Sequence, residues 1–175
     1  LIVMEQNNTL TALSGVRVGH STQIDKLTGC TAVVFDRPMP VAFKSYGGAV
    51  AGYNTESLTN GKSFNRSWGL FISGGSNTGL MSGAEIQKAM IEDGHGDHDF
   101  AITNPSISGA VVFDFGTRIG QYDPINGRQA YKSATNDAVV RGNVGAGTGT
   151  SAGKFNYLEL GTKNPSMKTG VGCAL

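Results

Sequence analysis

The sequence predicts an α/β fold in which short strands and two helices form one domain over residues 1–175. Short apolar runs end at glycine or at polar turns, whereas two other stretches carry apolar residues at helical spacing. A chain of 175 residues is long enough to bury one hydrophobic core. Its 26 glycines are about twice the usual share, which indicates many close approaches between backbone segments.

Several segments have the apolar or alternating pattern that is typical of strands. In chain order they are residues 16–18, 31–35, 41–46, 68–72, 110–113 and 170–175. Gly29 separates the first two, and Gly47 and Gly48 end the third. The last of these strands has no visible neighbour and would expose an unpaired edge, so we expect another segment or subunit to complete the fold.

Two helices are expected between these strands. Residues 80–92 carry apolar side chains at helical spacing, with Ser76 or Asn77 as the expected cap and Gly94 as the expected end. A weaker helix is predicted over residues 127–138, where Tyr131 and several alanines share one side.

The composition argues against several kinds of partner. The net charge is +1 without a basic cluster, so neither nucleic acid nor a membrane surface is an expected ligand. No apolar run approaches the roughly 18 residues of a membrane span, and we expect a cytoplasmic protein. Cys30 and Cys173 are compatible with a disulfide, a metal pair or two buried thiols. Without a secretion signal, free buried thiols are the default expectation.

Residues 141–154, called here the glycine-rich segment, contain five glycines and end in Lys154. Such a run cannot build a core, so we expect it to approach either another chain segment or a substrate closely, with Lys154 delivered to the same place. It is not a P-loop, because Thr148 occupies the first glycine position and Phe155 follows the lysine. A dinucleotide fingerprint also fails, since no amphipathic helix follows.

Other polar residues have plainer interpretations. His95, Asp97, His98 and Asp99 are metal-ligand types, but they share one short loop with no distant cluster, so a solvated loop is expected and no metal site. His20 is expected to be a structural hydrogen-bonding residue. Ser76 lies on a strand-to-helix turn, yet Thr78 replaces the final glycine of a nucleophile elbow and no general-base histidine lies downstream beyond His98.

Five motifs, in the same order along the chain, resemble the DmpA-type family of self-processing amide hydrolases. That family includes the β-peptidyl aminopeptidases and the nylon-oligomer hydrolases of the NylC kind. The motifs are residues 15–21 with 27–34, 47–49, 73–80, 108–115 and 141–154. The resemblance implies a layered α/β/β/α sandwich of the DmpA and ornithine acetyltransferase type. It also implies that this chain is the α portion and that a second, β chain completes the fold.

The resemblance further implies a site. In this family a precursor cuts itself before Ser or Thr, and the new N-terminal residue is the nucleophile. The matching lysine here is Lys154. Phe113 stands where some members carry tyrosine, so an oxyanion contact would come from its backbone N–H. Substrate-binding positions are expected at Gly75, Ser76, Val111, Asn143 and Gly147. No cofactor is implied, and homo-oligomers of αβ units are expected.

The residue type at position 111, valine, distinguishes between the substrate specificities found in this family. The aminopeptidases place a glutamate there to hold the substrate's free amine, and valine cannot pair with an ammonium. The NylC kind, acting within linear amides such as 6-aminohexanoate oligomers, is therefore the leading hypothesis. An aminopeptidase or D-amino-acid amidase of the DmpA kind is the second. A non-hydrolytic relative of the same fold, an acyltransferase or a binding protein, is the third.

Overall fold

A computed structural model describes residues 7–49, 51–154 and 167–171 of the chain. Its main sheet contains the strands β1 (Val16–Gln23), β2 (Thr28–Pro40), β3 (Gly52–Tyr53), β4 (Arg66–Ser73) and β5 (Ile107–Val111). Their order in the sheet is β1-β2-β4-β5-β3. The neighbours β4 and β5 are parallel, and all other pairs are antiparallel. This mixed sheet, with the two helices below, confirms the predicted α/β class.

The first two strands form a hairpin that is longer than the sequence pattern suggests. Pairing runs from Val16 opposite Phe35 to Gln23 opposite Thr28. The predicted strands over residues 16–18 and 31–35 are therefore confirmed, but each continues through polar residues. The ladder continues because each polar stretch has a hydrogen-bonded partner in the facing strand, which hydrophobic periodicity does not register.

The parallel pair sets where the fifth strand ends. Residues 68–72 lie in β4 as predicted, and β4 pairs with β5 from Gly69 opposite Ile107 to Ser73 opposite Val111. The expected buried strand over residues 110–113 is shifted, because β4 turns away after Ser73 and leaves its partner nothing to pair with beyond Val112. Phe113 is consequently 44% exposed, not buried.

Helices α1 (Met81–Glu92) and α2 (Ile125–Lys132) pack against each other, and α2 also packs on β1 and β2. The central hydrophobic cluster joins the sheet to these helices through Phe71, Ile86, Met90, Ile107 and Tyr131, among others. Burial of these side chains is the main stabilising contribution to this part of the fold.

The predicted end of α1 is confirmed, and its predicted cap is wrong. The Gly94 N–H donates to the Ile91 carbonyl at 3.1 Å and the His95 N–H to the Met90 carbonyl at 2.8 Å, which together form a Schellman motif. At the other end, Ser76 begins a 3₁₀ turn, Ser76–Leu80, that leads directly into α1. No side chain caps either element, because the turn already supplies continuous helical backbone.

Two further predictions are corrected. Residues 41–46 form no strand; the Val41 N–H bonds to the Asn65 carbonyl and the Phe43 N–H to the Leu58 carbonyl, isolated contacts that do not make a ladder. Helix α2 ends at Lys132 instead of continuing to residue 138, because Thr135 forms an antiparallel bridge with Val18.

Strands β6 (Ser151–Ala152) and β7 (Met167–Lys168) form a separate two-stranded sheet. Of the strand predicted over residues 170–175, the described residues 170 and 171 are not in a strand, and the remainder lies outside the described residues. No helix in the described ranges is long and apolar enough to cross a bilayer.

Candidate active site

The parallel strands β4 and β5 end side by side, and the chain turns sharply after each of them. Gly75 follows β4 with a φ of +88°, and an added Cβ there would lie 2.4 Å from Cγ of Tyr122. Only glycine adopts this left-handed φ readily and also lacks the Cβ that would collide with Tyr122. Ser76 comes next with a φ of +53°, and its N–H donates to the Val112 carbonyl at 3.1 Å. The carboxyl ends of parallel strands are where ligands bind in α/β sheets.

A buried carboxylate, Asp114, holds this corner together. Its Oδ2 accepts hydrogen bonds from the Thr28 hydroxyl and the Gly75 N–H, both at 2.8 Å. Its Oδ1 accepts from Arg118 Nε at 3.1 Å. The Asp114 side chain is fully buried and the Arg118 side chain is only 7% exposed. Three donors therefore neutralise and fix a charge that would be costly to bury alone.

Sequence reasoning did not identify Asp114. The signal was a single acidic residue between Phe113 and Phe115 in an otherwise apolar motif, where a charge requires a partner. Its partners come from the start of β2, from the turn after β4 and from one turn further along the chain. Arg118 lies four residues after Asp114, but no spacing rule connects Asp114 to Thr28 or to Gly75, so the site could not be assembled from the sequence.

Lys154 reaches the same corner from the other end of the chain. Its ammonium donates to the Phe113 carbonyl and lies 5.4 Å from the centre of the Phe113 ring. Burial lowers the pKa of Lys154 below its ordinary value, and the negative charge of Asp114 opposes that shift. The Phe113 ring packs against Phe115 with 5.2 Å between centroids, and both rings are nearly half exposed. A cation beside a half-exposed aromatic surface can bind a polarised carbonyl or an anion.

The glycine-rich segment approaches other parts of the chain closely. The Gly145 N–H donates to the Thr22 hydroxyl at 2.7 Å and the Ala146 N–H to the Thr31 hydroxyl at 3.1 Å. An added Cβ on Gly149 would lie 2.3 Å from the Leu27 carbonyl oxygen. Of the two expectations for this segment, close approach to another chain segment accounts for both of these glycines.

The structure brings together only some of the predicted site residues. Gly75, Ser76 and Val111 lie at the strand ends with Phe113 and Lys154. Asn143 is exposed. The Gly147 N–H donates to the Val144 carbonyl, and the Gly147 carbonyl accepts from the Thr150 N–H and the Lys168 ammonium. Within the described ranges, neither Asn143 nor Gly147 is hydrogen-bonded to the strand-end residues. A surface cavity of about 520 Å³ lined by Phe43, Glu56 and five neighbours shares no residue with this site.

In the loop at residues 95–99, which was expected to be solvated, His98 and Asp99 are exposed, whereas His95 and Asp97 contact the rest of the fold. His95 Nε2 lies 2.8 Å from the Phe35 carbonyl oxygen, its ring meets Trp68 edge-on, and Trp68 Nε1 donates to Asp97 at 3.0 Å. Among the described residues, no three His, Cys, Asp or Glu side chains are grouped as a metal site. His20 is also engaged locally, with Nδ1 2.9 Å from the Thr31 hydroxyl.

Cys30 is a buried free thiol, as expected, while Cys173 lies outside the described residues. Burial raises the pKa of the Cys30 thiol to about 12. Nearby, the Tyr122 hydroxyl bonds to the Ser73 and Ser82 hydroxyls at 2.6 and 2.8 Å, and burial raises its pKa as well. This network lies directly behind Gly75 and supports the turn from the core side.

Comparison with known proteins agrees with the resemblance seen in the sequence. The profile of peptidase family S58 matches residues 8–157. The 6-aminohexanoate-oligomer endohydrolase of Kocuria sp. (strain KY2) is 31% identical over 145 residues. The enzyme of the same name from Paenarthrobacter ureafaciens is 30% identical over the same length. Each alignment covers 82% of this chain but only 38% of the relative. The chain thus spans well under half the length of these relatives.

Solved structures show the same fold. A β-aminopeptidase from Burkholderia sp. superposes with a TM-score of 0.60 at 18% identity, over 82% of this chain and 43% of that one. The L-aminopeptidase D-Ala-esterase/amidase of Ochrobactrum anthropi, described as a variant of the Ntn hydrolase fold, also gives 0.60. It is 20% identical, and the match covers 84% of this chain and 45% of that one. With the family profile matching most of its length, the chain belongs to peptidase family S58.

Proposed function

We propose that this chain is the α portion of a self-cleaving amide hydrolase. Its membership of family S58 and its similarity to 6-aminohexanoate-oligomer endohydrolases support the reaction class. The relatives are more than twice as long as the aligned region, which supports a further segment that carries the nucleophile. In this proposal residues 1–175 are one domain, the β chain begins with Ser or Thr, and αβ units assemble further into homo-oligomers.

The observation that carries the proposal is the position of Lys154 at the carboxyl ends of β4 and β5. The Lys154 ammonium is partly buried, which lowers its pKa. Such a group can orient a nucleophile or stabilise the negative charge that develops on the amide oxygen. No hydrogen bond within the described residues engages the Phe113 N–H, so this N–H remains available as the proposed oxyanion donor. The nucleophile's own α-amine would serve as its base.

Val111 supports an endo-acting enzyme. It is the last residue of β5, paired with Ser73, and its Cγ1 would lie 3.1 Å from a Cβ added on Gly79. This position therefore presents an apolar wall, which suits the methylene groups of a linear amide and offers no acceptor for a free ammonium. We propose linear amide oligomers, such as those of 6-aminohexanoate, as the substrate class.

The proposal is tested on the full-length protein. Intact mass and N-terminal sequencing should reveal two polypeptides from one precursor, the second starting with Ser or Thr. A single uncleaved species that still hydrolyses amides would contradict the proposed nucleophile.

A linear amide oligomer with a free amine is then compared with its N-acetylated form. An endo-acting enzyme cleaves both at similar rates. An aminopeptidase, which is the second candidate because the similar solved structures carry that name, should lose about 10- to 100-fold on the acetylated form. Cleavage into two chains with no hydrolysis of either substrate would favour a non-hydrolytic relative.

A further inference from the structure

We infer that Thr117 is a positioning residue, whose hydroxyl holds the glycine-rich segment in register with Phe113 and thereby places Lys154. Thr117 Oγ1 lies 2.6 Å from the Gly149 carbonyl oxygen and 2.9 Å from the Asp114 carbonyl oxygen. A hydroxyl has one proton to donate, and the shorter distance favours Gly149. The inference rests on the proposed function only for its effect on turnover.

Thr117 lies in a turn, residues 114–118, that buried hydrogen bonds fix to the core. The Asp114 carbonyl accepts hydrogen bonds from the N–H groups of Thr117 and Arg118 at 3.1 and 2.9 Å. These bonds form a turn that begins at Asp114, the residue after Phe113. The Asp114 carboxylate is fixed in turn by Thr28, Gly75 and Arg118. The position of the Thr117 hydroxyl is therefore set by the same residues that set Phe113.

On the other side, Gly149 lies five positions before Lys154 in the chain. Its missing Cβ would lie 3.3 Å from Asp114 Cβ, so the two backbones are in near contact there. Apart from the Lys154 contact itself, the Thr117–Gly149 bond is the side-chain hydrogen bond that joins the turn to the glycine-rich segment in the described parts of the chain. The other described contacts of the segment, from Gly145 and Ala146 to the β1–β2 hairpin and from β6 to β7, do not involve the turn that follows Phe113.

The expected consequence concerns the surroundings of Lys154. If the segment shifts, Lys154 moves away from Phe113 towards solvent and loses part of the burial that lowers its pKa. The pKa of Lys154 should then rise towards its ordinary value. This readout reports position and is independent of whether the protein hydrolyses amides.

The test compares Thr117→Val, which keeps the shape and removes the hydroxyl, with Thr117→Ser, which keeps the hydroxyl. Thr59→Val is the matched control, because Thr59 Oγ1 also bonds to the carbonyl three residues earlier, Glu56, but touches no site residue. The full-length protein is acetylated competitively across a pH series, and each lysine is followed by peptide mass spectrometry. Lys132, paired with Asp93, serves as the internal reference.

In Thr117→Val the midpoint for Lys154 should rise, so that its neutral fraction at a given pH falls about 2- to 10-fold. Thr117→Ser, Thr59→Val and the Lys132 profile should match the wild type. Turnover of the linear amide should fall in Thr117→Val with little change in KM. Thr117→Ala replaces the valine variant if that one does not fold, with the same expectation.

An unchanged Lys154 midpoint in the hydroxyl-free variant would overturn the inference. An equal shift in Thr117→Ser would also overturn it, since side-chain size and not the hydroxyl would then be responsible. A shifted midpoint in a protein without amidase activity would leave the inference standing and reject the proposed function instead.

Discussion

Two ion pairs in this chain have nearly the same geometry and opposite surroundings, which allows a direct test of what holds the candidate site together. Arg118 Nε lies 3.1 Å from Asp114 Oδ1, with side chains 7% and 0% exposed. Arg17 Nε lies 3.0 Å from Asp36 Oδ1, with side chains 32% and 58% exposed. The perturbation is the substitution of each aspartate by asparagine, which removes the charge and keeps the shape.

The expected costs differ because of burial. In Asp114→Asn the amide oxygen can still accept from Thr28 and Gly75, but the NH₂ group then faces Arg118 Nε, a donor, and leaves a buried guanidinium without its counter-charge. Breaking one side of a buried pair costs about 3–5 kcal/mol of unfolding free energy. In Asp36→Asn the arginine remains hydrated, and exposed pairs contribute about 0–1 kcal/mol.

Urea unfolding of the full-length protein, followed by circular dichroism, measures both variants on the same scale, provided that the slope m is unchanged. A double variant that adds Arg118→Met to Asp114→Asn should recover part of the loss, because no unpaired cation then remains. Equal costs for the two aspartates, or no recovery in the double variant, would refute the idea that a buried charge network holds the strand-end corner.

Lys154, Gly149 and Cys30 can each be tested by a single substitution. Lys154→Ala should lower turnover about 10²-fold or more with nearly unchanged stability, and equal activity would make Lys154 an ordinary surface residue. Gly149→Ala should cost about 1–3 kcal/mol because its Cβ would meet the Leu27 carbonyl oxygen at 2.3 Å, whereas Gly48→Ala, with nothing within 4 Å, should cost little in the same unfolding assay. Burial raises the pKa of Cys30 from 9.0 to about 12, so its stabilising contribution is complete below pH 9 and is lost as the pH rises towards 12. A Cys30→Ala variant should therefore lose stability less steeply between pH 8 and about 11 than the wild type.

The elements that follow from local sequence were predicted well. The apolar run of β4 and the helical spacing of α1 are sufficient to predict a strand and a helix. Gly94 forms the Schellman motif that its position after α1 indicates. The errors arose where the secondary structure depends on a hydrogen-bond partner that is distant in sequence. Residues 41–46 alternate like a strand but have only isolated hydrogen-bond partners, and α2 stops early because Thr135 bridges to Val18.

The residues of the candidate site likewise divide into those that the local sequence indicates and those that depend on distant partners. Lys154 could be proposed from the sequence because a glycine-rich segment that ends in a cation is conspicuous, and the structure places its ammonium at the Phe113 carbonyl. Asp114 was missed because its function lies in its contacts with Thr28, Gly75 and Arg118, two of which are far away in sequence. A buried carboxylate within an apolar motif is nevertheless a signal, since such a charge needs donors.

The glycine-rich segment itself admits a backbone explanation that requires no ligand. Gly145 and Gly149 lie where a Cβ would come within 2.3 Å of Thr31 Oγ1 and of the Leu27 carbonyl oxygen, respectively. Gly153 has nothing within 4 Å but a φ of +83°, the conformation that turns the chain immediately before Lys154. The glycines thus serve to pass the segment closely over the β1–β2 hairpin and to turn it back towards Phe113. In the function proposed above, the substrate would meet Lys154 and the strand ends, and the small residues would matter to catalysis because they let the backbone carry that lysine to its place.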